Sequence, residues 1–377
     1  MPLDYENQRE KCENHFFIGA AFTSLNTDLT KWKGALSKGG LFLNEYTKNL
    51  ELKNEEILEK ILDSIPFFCR DFFVALKMER KSSRTLVSYA YDIRTFINYM
   101  NDCADIRIND VKDLEKLSAR DIEYYIASLS GTTSDCGTYR KLCCLHSFFG
   151  YFYRHGDISS NPSVLVNKIK VREKNIIYLE ADEMSKLLDA VESGSLLAGK
   201  EKSYHSKTKY RDLAIITLFL GTGMRVSELV GLDTDDIDFE SYSLKITRKG
   251  GNEAIIYFCD EVSEALQDYI ELERGSYNPS EESENALFLS LKHNRITVRA
   301  VENLVKKYTI SVTPFKKITP HKLRSSFGTN LYTETSDIYA VAEALGHKDV
   351  NTTKKHYASF SEKRKESVFR NVTLREK

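Results

Sequence analysis

Gly221-Thr222-Gly223-Met224-Arg225-Val226-Ser227-Glu228-Leu229 is the stretch on which the reading of this chain turns. Residues 211–220 before it read as an apolar helix, the two glycines break that helix in a tight turn, and Arg225 opens a second helix over 225–231. An arginine at such a place presents a planar fork of donors that fits two oxygens of one phosphate. Glu228 shares its helix face three residues on and is spaced to hold that fork. A surface ion pair would give the same pattern. The surroundings must decide.

Downstream, Leu244 to Tyr257 alternates apolar and polar residues around Gly250-Gly251-Asn252, the pattern of a β-hairpin over 243–258 with Lys249 at its tip. Lysine at a hairpin tip also serves plain solubility. Thr319-Pro320-His321-Lys322-Leu323-Arg324 predicts a helix over 320–333, with Thr319 as N-cap and Pro320 at the first helical position. His321 and Arg324 then sit one above the other at a helix N-terminus, where backbone N–H groups favour an anion. Leu345-Gly346-His347 puts a histidine just past the glycine that ends a helix over 337–345, and Tyr357 closes a further helix over 351–357. Taken singly, each is weak: the chain has 21 tyrosines, and a histidine after a helix is usually structural.

Upstream, the period is helical from about 66 to 172. The clearest helix follows Ser82 and Ser83, with Leu86, Tyr89, Ala90, Ile93, Phe96, Ile97 and Met100 on one face. Others run over 119–129 and over 138–154, the latter burying Leu142, Leu145, Phe149 and Phe152 and ending at Gly156. Basic residues near helix starts, among them Lys81, Arg84, Arg140 and Lys141, are candidate phosphate contacts, as is Lys322 further on. Asn54 is placed to cap a helix over 55–64. Because residues 51–63 carry five acids and two lysines, that helix reads as packing or partner contact. Residues 168–178 read as an extended basic linker, Glu183 to Val191 as helix, and 193–209 as a polar loop. Three divisions follow: an N-terminal extension of unknown role (1–65), a helical domain (66–172), and a mainly α second domain with one small sheet (173–377).

Composition narrows the class. Of 377 residues, 41% are hydrophobic and six are proline, enough for substantial cores. No apolar run approaches the roughly 20 residues that span a bilayer, and the opening MPLDYENQREKCENHFF lacks the basic-then-apolar order of a secretory signal. These observations predict a cytoplasmic protein with no membrane contact. The seven cysteines show no CxxC pair or zinc spacing and read as reduced thiols. Although the net charge is −1, residues 291–330 hold nine Lys/Arg against Glu302 alone, a face on which a polyanion is placed to dock. Residues 260–285 are as strongly acidic, which by itself signals only a solvated helix face.

The ordered run Arg225, Lys249, His321, Arg324, His347, Tyr357 strongly resembles the signature of the tyrosine recombinase (phage integrase) family. The resemblance covers roughly 66–360 and includes Ser82-x-x-Thr85-x-x-Ser88-Tyr89-x-x-Asp92-Ile93-Arg94-x-Phe96-x-x-Tyr99-Met100, with a flavour closest to Xer-like recombinases and mobile-element integrases. It implies a mainly α fold, with a SAM-like helical core-binding domain followed by a mixed α/β catalytic domain, the two gripping opposite faces of a duplex. In role, it implies that Arg225, Arg324, His321 and His347 cradle the scissile phosphate, that Lys249 is the general acid and that Tyr357 is the nucleophile, with Glu228 in support. It further implies double-stranded DNA with inverted-repeat sites as substrate, a tetramer on two sites joined by a tail helix after Tyr357, an unspecified accessory protein, and no metal or cofactor. Two departures stand out: ten residues separate His347 from Tyr357 where many Xer members have nine, and Ser325 follows Arg324 where many relatives have histidine. Residues 1–65 do not match the usual arm-binding module. Two rivals remain, a type IB topoisomerase-like relaxing enzyme and a non-catalytic DNA-binding protein on the same scaffold.

Overall fold

A computed structural model describes residues 45–167, 169–170, 176–248, 251–347 and 349–351. Lys249, Tyr357, all but the first residue of the helix expected over 351–357, the tail beyond it, most of the extended linker and residues 1–44 lie outside the described residues. Described residues are mostly helical, with one three-stranded antiparallel sheet. No helix among them is long and apolar enough to cross a membrane.

Five helices build the first core: α1 (Glu45–Leu62), α2 (Cys69–Met78), α3 (Ser83–Asp102), α4 (Ala119–Ser128) and α5 (Asp135–His155). Helix α3 begins where the Ser82 side chain accepts the Thr85 N–H, and its apolar stripe from Leu86 to Met100 is buried. Ser134 caps α5 and Gly156 ends it in the left-handed conformation at φ 78°. Phe72, Phe96, Phe148, Phe149 and Phe152 meet largely edge-on in the middle. The expected cap at Asn54 is wrong. Helix α1 starts ten residues earlier, and Asn54, buried inside it, donates to the Ser83 hydroxyl at 3.1 Å. The far end of α1 supplies Leu58, Ile61 and Leu62 to this core, whereas Tyr46 at its near end packs on the second.

The second core holds α6 (Ala181–Ser193), α7 (Gly199–Thr222), α8 (Val226–Val230), the strands β1 (Ile237–Asp238), β2 (Ser243–Thr247) and β3 (Glu253–Tyr257), then α9 (Asp260–Leu272), α10 (Val298–Val312), α11 (Pro320–Thr335) and α12 (Ile338–Leu345). Strands β2 and β3 pair with Lys245 opposite Ile255, and β1 adds a two-residue edge that the alternation did not reveal. The polar loop expected over 193–209 is instead mostly helix. Its residues lack an apolar stripe because its first turns are largely solvated, and it is anchored at two buried points: His205 bonds the Val191 carbonyl at 2.7 Å, and Thr208 bonds Asp212 at 3.1 Å.

Asp212 is the polar centre of this core. Fully buried on α7, its carboxylate accepts from Arg211, from the Lys307 ammonium at 2.8 Å and from the Tyr308 hydroxyl at 2.9 Å. Burial pushes its pKa up, but Arg211 and Lys307 outweigh that, and the carboxyl lies below its ordinary value. The Tyr308 hydroxyl is pushed up by burial and by the same carboxylate. Asp212→Asn leaves two cations without their counter-charge and is expected to cost about 3–5 kcal/mol. A depressed carboxylate stabilises fully above its unfolded pKa, about 3.9, and ceases to do so as pH falls through the folded value. Thermal unfolding of wild type and variant should therefore show a gap that is wide at neutral pH and closes below pH 4.

Candidate active site

Helix α7 ends at Gly223 (φ 62°), where a Cβ would collide with the Phe327 ring. The glycine is demanded twice, by backbone and by space. Two residues later, Arg225 is the N-cap of α8, and Glu228 fixes it at both ends: one carboxylate oxygen accepts the Arg225 backbone N–H and the other the guanidinium, each at 2.7 Å. Glu228 is buried while the arginine side chain is 36% exposed, so the acid is a support and the fork reaches outward. This is not a loose surface pair. The charge-assisted bonds start from a carboxylate that has no freedom to leave.

Helix α11 starts at Pro320 with Thr319 as its N-cap, as expected; the Thr319 carbonyl accepts from Lys322 and Leu323, while its side chain makes no cap bond. His321 is exposed and Lys322 half-buried on its first turn. Arg324, 5% exposed, faces inward. Its guanidinium donates to the Gly223 carbonyl at 2.6 Å and to the Leu345 carbonyl. One side chain thus ties the turn before Arg225 to the turn before His347.

That second turn is a Schellman motif. The Gly346 N–H donates to Glu343 and the His347 N–H to Ala342, with Gly346 at φ 61°, as the glycine after a predicted helix requires. Asp337 caps the same short helix at its start through Tyr339 and Ala340 N–H groups. Arg248, the last described residue before the hairpin tip, closes onto this turn: a Cβ on Gly346 would fall on its guanidinium. So Arg225, His321, Arg324 and His347 belong to one knot of turns that also holds the base of the hairpin. Among the described residues no group of three or more His, Cys, Asp or Glu could hold a metal ion.

Four of the nine cations in the basic tract at 291–330 are bonded inward and do not add to the polyanion face that its charge implied. Arg295 holds the Val230 and Leu232 carbonyls, Lys307 holds Asp212, Lys316 bonds Glu183 at 2.5 Å, and Arg324 bonds two carbonyls. Of the other five, Lys292, Lys306 and Lys317 are exposed with no ion pair among the described residues, Arg299 is exposed and pairs with Glu302, and Lys322 is half-buried. In the first core, Arg84 is exposed, and exposed Lys81 lies 3.4 Å from Glu79. Arg140 and Lys141 both bind Asp92, a buried carboxylate on α3 whose role is not visible in the sequence. Arg140 remains 46% exposed above it, in the way Arg225 stands on Glu228.

Comparison with known proteins agrees with this architecture. Residues 178–364 match the phage integrase family, and residues 70–156 match the phage integrase N-terminal SAM-like domain. Among curated relatives, tyrosine recombinase XerC of Thermodesulfovibrio yellowstonii is 31% identical over 292 residues, covering 76% of this chain and 90% of that protein. Tyrosine recombinase XerS of Streptococcus thermophilus is 30% identical over 344 residues, covering 80% and 95%. In structure, the XerH site-specific recombinase in a post-cleavage complex with its palindromic difH substrate shares the fold, with a TM-score of 0.61 at 19% identity over 87% of this chain and 97% of that one. The two cores are thus those of a strand-transfer enzyme built on a helical domain and an integrase-type domain. The chain belongs to the phage integrase family of tyrosine recombinases.

Glu228→Gln retains size but loses the charge that holds Arg225. Its expected signature is strand cleavage lowered about tenfold or more, the loss being one charge-assisted contact of roughly 1.5–3 kcal/mol. Single-turnover cleavage measured beside thermal unfolding checks this, since the melting temperature should move by only a few degrees.

Proposed function

We propose that the chain recombines double-stranded DNA at inverted-repeat sites by attack of Tyr357 on a scissile phosphate held by Arg225, Arg324, His321 and His347. The observation that carries this reading is the Arg324 guanidinium on the Gly223 and Leu345 carbonyls, which draws three separate motifs of the signature into one place. A phosphorane transition state gains negative charge on its oxygens and is stabilised by donors fixed before the reaction begins. Arg225 on its buried carboxylate meets that requirement, because no reorganisation of the fork is needed when the charge appears. Tyr357 forms a bond to phosphorus as the bond to the 5′ oxygen breaks, and Lys249 gives that oxygen a proton. The phenol's own proton passes to solvent, from which the lysine recovers one, so bonds and protons balance. A free 5′ hydroxyl from the partner strand reverses the step.

In this reading residues 66–172 bind the core site and residues 173–377 carry the chemistry, with both arms of the duplex gripped in a tetramer on two sites, in the cytoplasm. An accessory protein is compatible with the same scheme. Support for DNA as substrate comes from the XerH and lambda integrase complexes, whose fold this chain shares. Arg140 and Lys141, gathered on buried Asp92, are the first-domain cations best held for phosphate, together with exposed Lys81 and Arg84, and half-buried Lys322 joins them from the second domain.

A duplex with a nick next to the cleavage position traps the covalent intermediate, because the short product diffuses away. Wild type should accumulate a protein–DNA adduct on it and Tyr357→Phe none. An adduct retained by the variant would show that another residue attacks. Binding should also weaken steeply with salt, in proportion to the phosphates contacted.

A further inference from the structure

Arg248 is not accounted for by the family signature. It ends the described part of the hairpin's first strand, donating its N–H to Asn252 at 2.7 Å and accepting from Gly251 at 3.0 Å. These two bonds close the base of the hairpin. The side chain then leaves the sheet and lies on Gly346, where the guanidinium occupies the space that a Cβ would need. On either side of Gly346 are Leu345, whose carbonyl holds Arg324, and His347.

Packing alone is a poor reason for this choice. The Arg248 Nε is buried and has no hydrogen-bond partner among the described residues, an arrangement that disfavours an arginine where an apolar chain would fill the same volume. What the planar cation offers is a flat, rigid plate that seats on a glycine turn and on nothing bulkier. Gly346 answers it, being held at φ 61° and having no side chain to push the plate away.

We propose that Arg248 is a positioning residue of the strand-transfer reaction, clamping the base of the β2–β3 hairpin onto the Gly346 turn and thereby setting the reach of Lys249, the next residue in the chain. The proposal rests on the reading of Lys249 as general acid. Without the clamp the hairpin hinges away from the turn that carries His347 and anchors Arg324. The phosphate is then held as before, but the proton arrives late.

Replacing the bridging 5′ oxygen of the scissile phosphate by sulfur separates these roles, because a thiolate leaves without needing a proton. On the ordinary nicked duplex, Arg248→Ala is expected to slow single-turnover adduct formation about 10–100-fold with DNA affinity within about threefold of wild type. On the sulfur substrate, both Arg248→Ala and Lys249→Ala should come within a few-fold of wild type, whereas Arg225→Ala stays slow. Gly346→Ala, which displaces the plate from the other side, should show the same defect and the same rescue, and adding it to Arg248→Ala should cost less than it does alone. This second variant keeps the test sound if Arg248→Ala folds poorly. Rescue of Lys249→Ala without rescue of Arg248→Ala and Gly346→Ala overturns the clamp alone. Failure to rescue Lys249→Ala overturns the general-acid reading and the clamp with it, and wild-type cleavage by Arg248→Ala overturns the clamp outright.

Discussion

The Arg324 guanidinium, buried to 5% exposure and bonded to the carbonyls of Gly223 and Leu345, is the constraint on which the rest of the site depends. Those two carbonyls end two helices that lie more than a hundred residues apart in the chain, and helix ends leave such groups without intrahelical partners. A single planar cation satisfies both and fixes their separation. Three further described residues of the site are placed relative to one of these turns. Arg225 follows Gly223 by two residues, His347 follows Leu345 by two, and Arg248 lies over the glycine between Leu345 and His347.

A second theme is the use of buried carboxylates as footings for cations. Glu228 under Arg225 and Asp92 under Arg140 have the same design: an acid at 3% or 2% exposure, with an arginine side chain emerging to 36% or 46%. The acid's cost of desolvation is offset only while its partner stays, so each footing favours one arginine geometry over the many rotamers of a free surface side chain. Asp212 is the limiting case, with its cations drawn wholly inward and no outward reach. Position rather than residue type separates cations bonded inward from those that reach solvent. That is why a count of basic residues over 291–330 pointed to a docking face, yet much of that charge serves the interior.

Much of the fold was legible because it follows from short-range rules. Ser82 starts a helix and Gly156, Gly223 and Gly346 end theirs, each by chemistry visible in a few residues, whereas the caps at Ser118 and Ser134 went unread and the helix expected from 138 starts at Asp135. The order of the six signature residues was also legible, since a family motif is a statement about sequence. Where the reading failed, the deciding contact was distant. Asn54 looked like a cap because its partner, Ser83, lies 29 residues away, and residues 199–209 looked like a loop because a helix solvated on most sides has no period to detect. The roles of Asp92 and Arg248 depend on residues 48 and 98 positions distant. For Arg248 a faint signal existed: two adjacent cations before a Gly-Gly-Asn turn cannot both point outward from a strand.

This site is assembled from turns more than from the faces of its helices. A phosphate cradle needs donors that converge from several directions on one small anion, and a helix face offers side chains pointing roughly one way. Turns at helix ends add backbone groups and side chains that diverge from the axis, but they are also the least cooperative parts of a structure. Cross-linking them through Arg324, Glu228 and Arg248 removes that weakness without filling the space between them. The glycines at 223 and 346 then follow from geometry: each turn must adopt positive φ, and each must let a neighbouring side chain, Phe327 or Arg248, lie directly on its backbone.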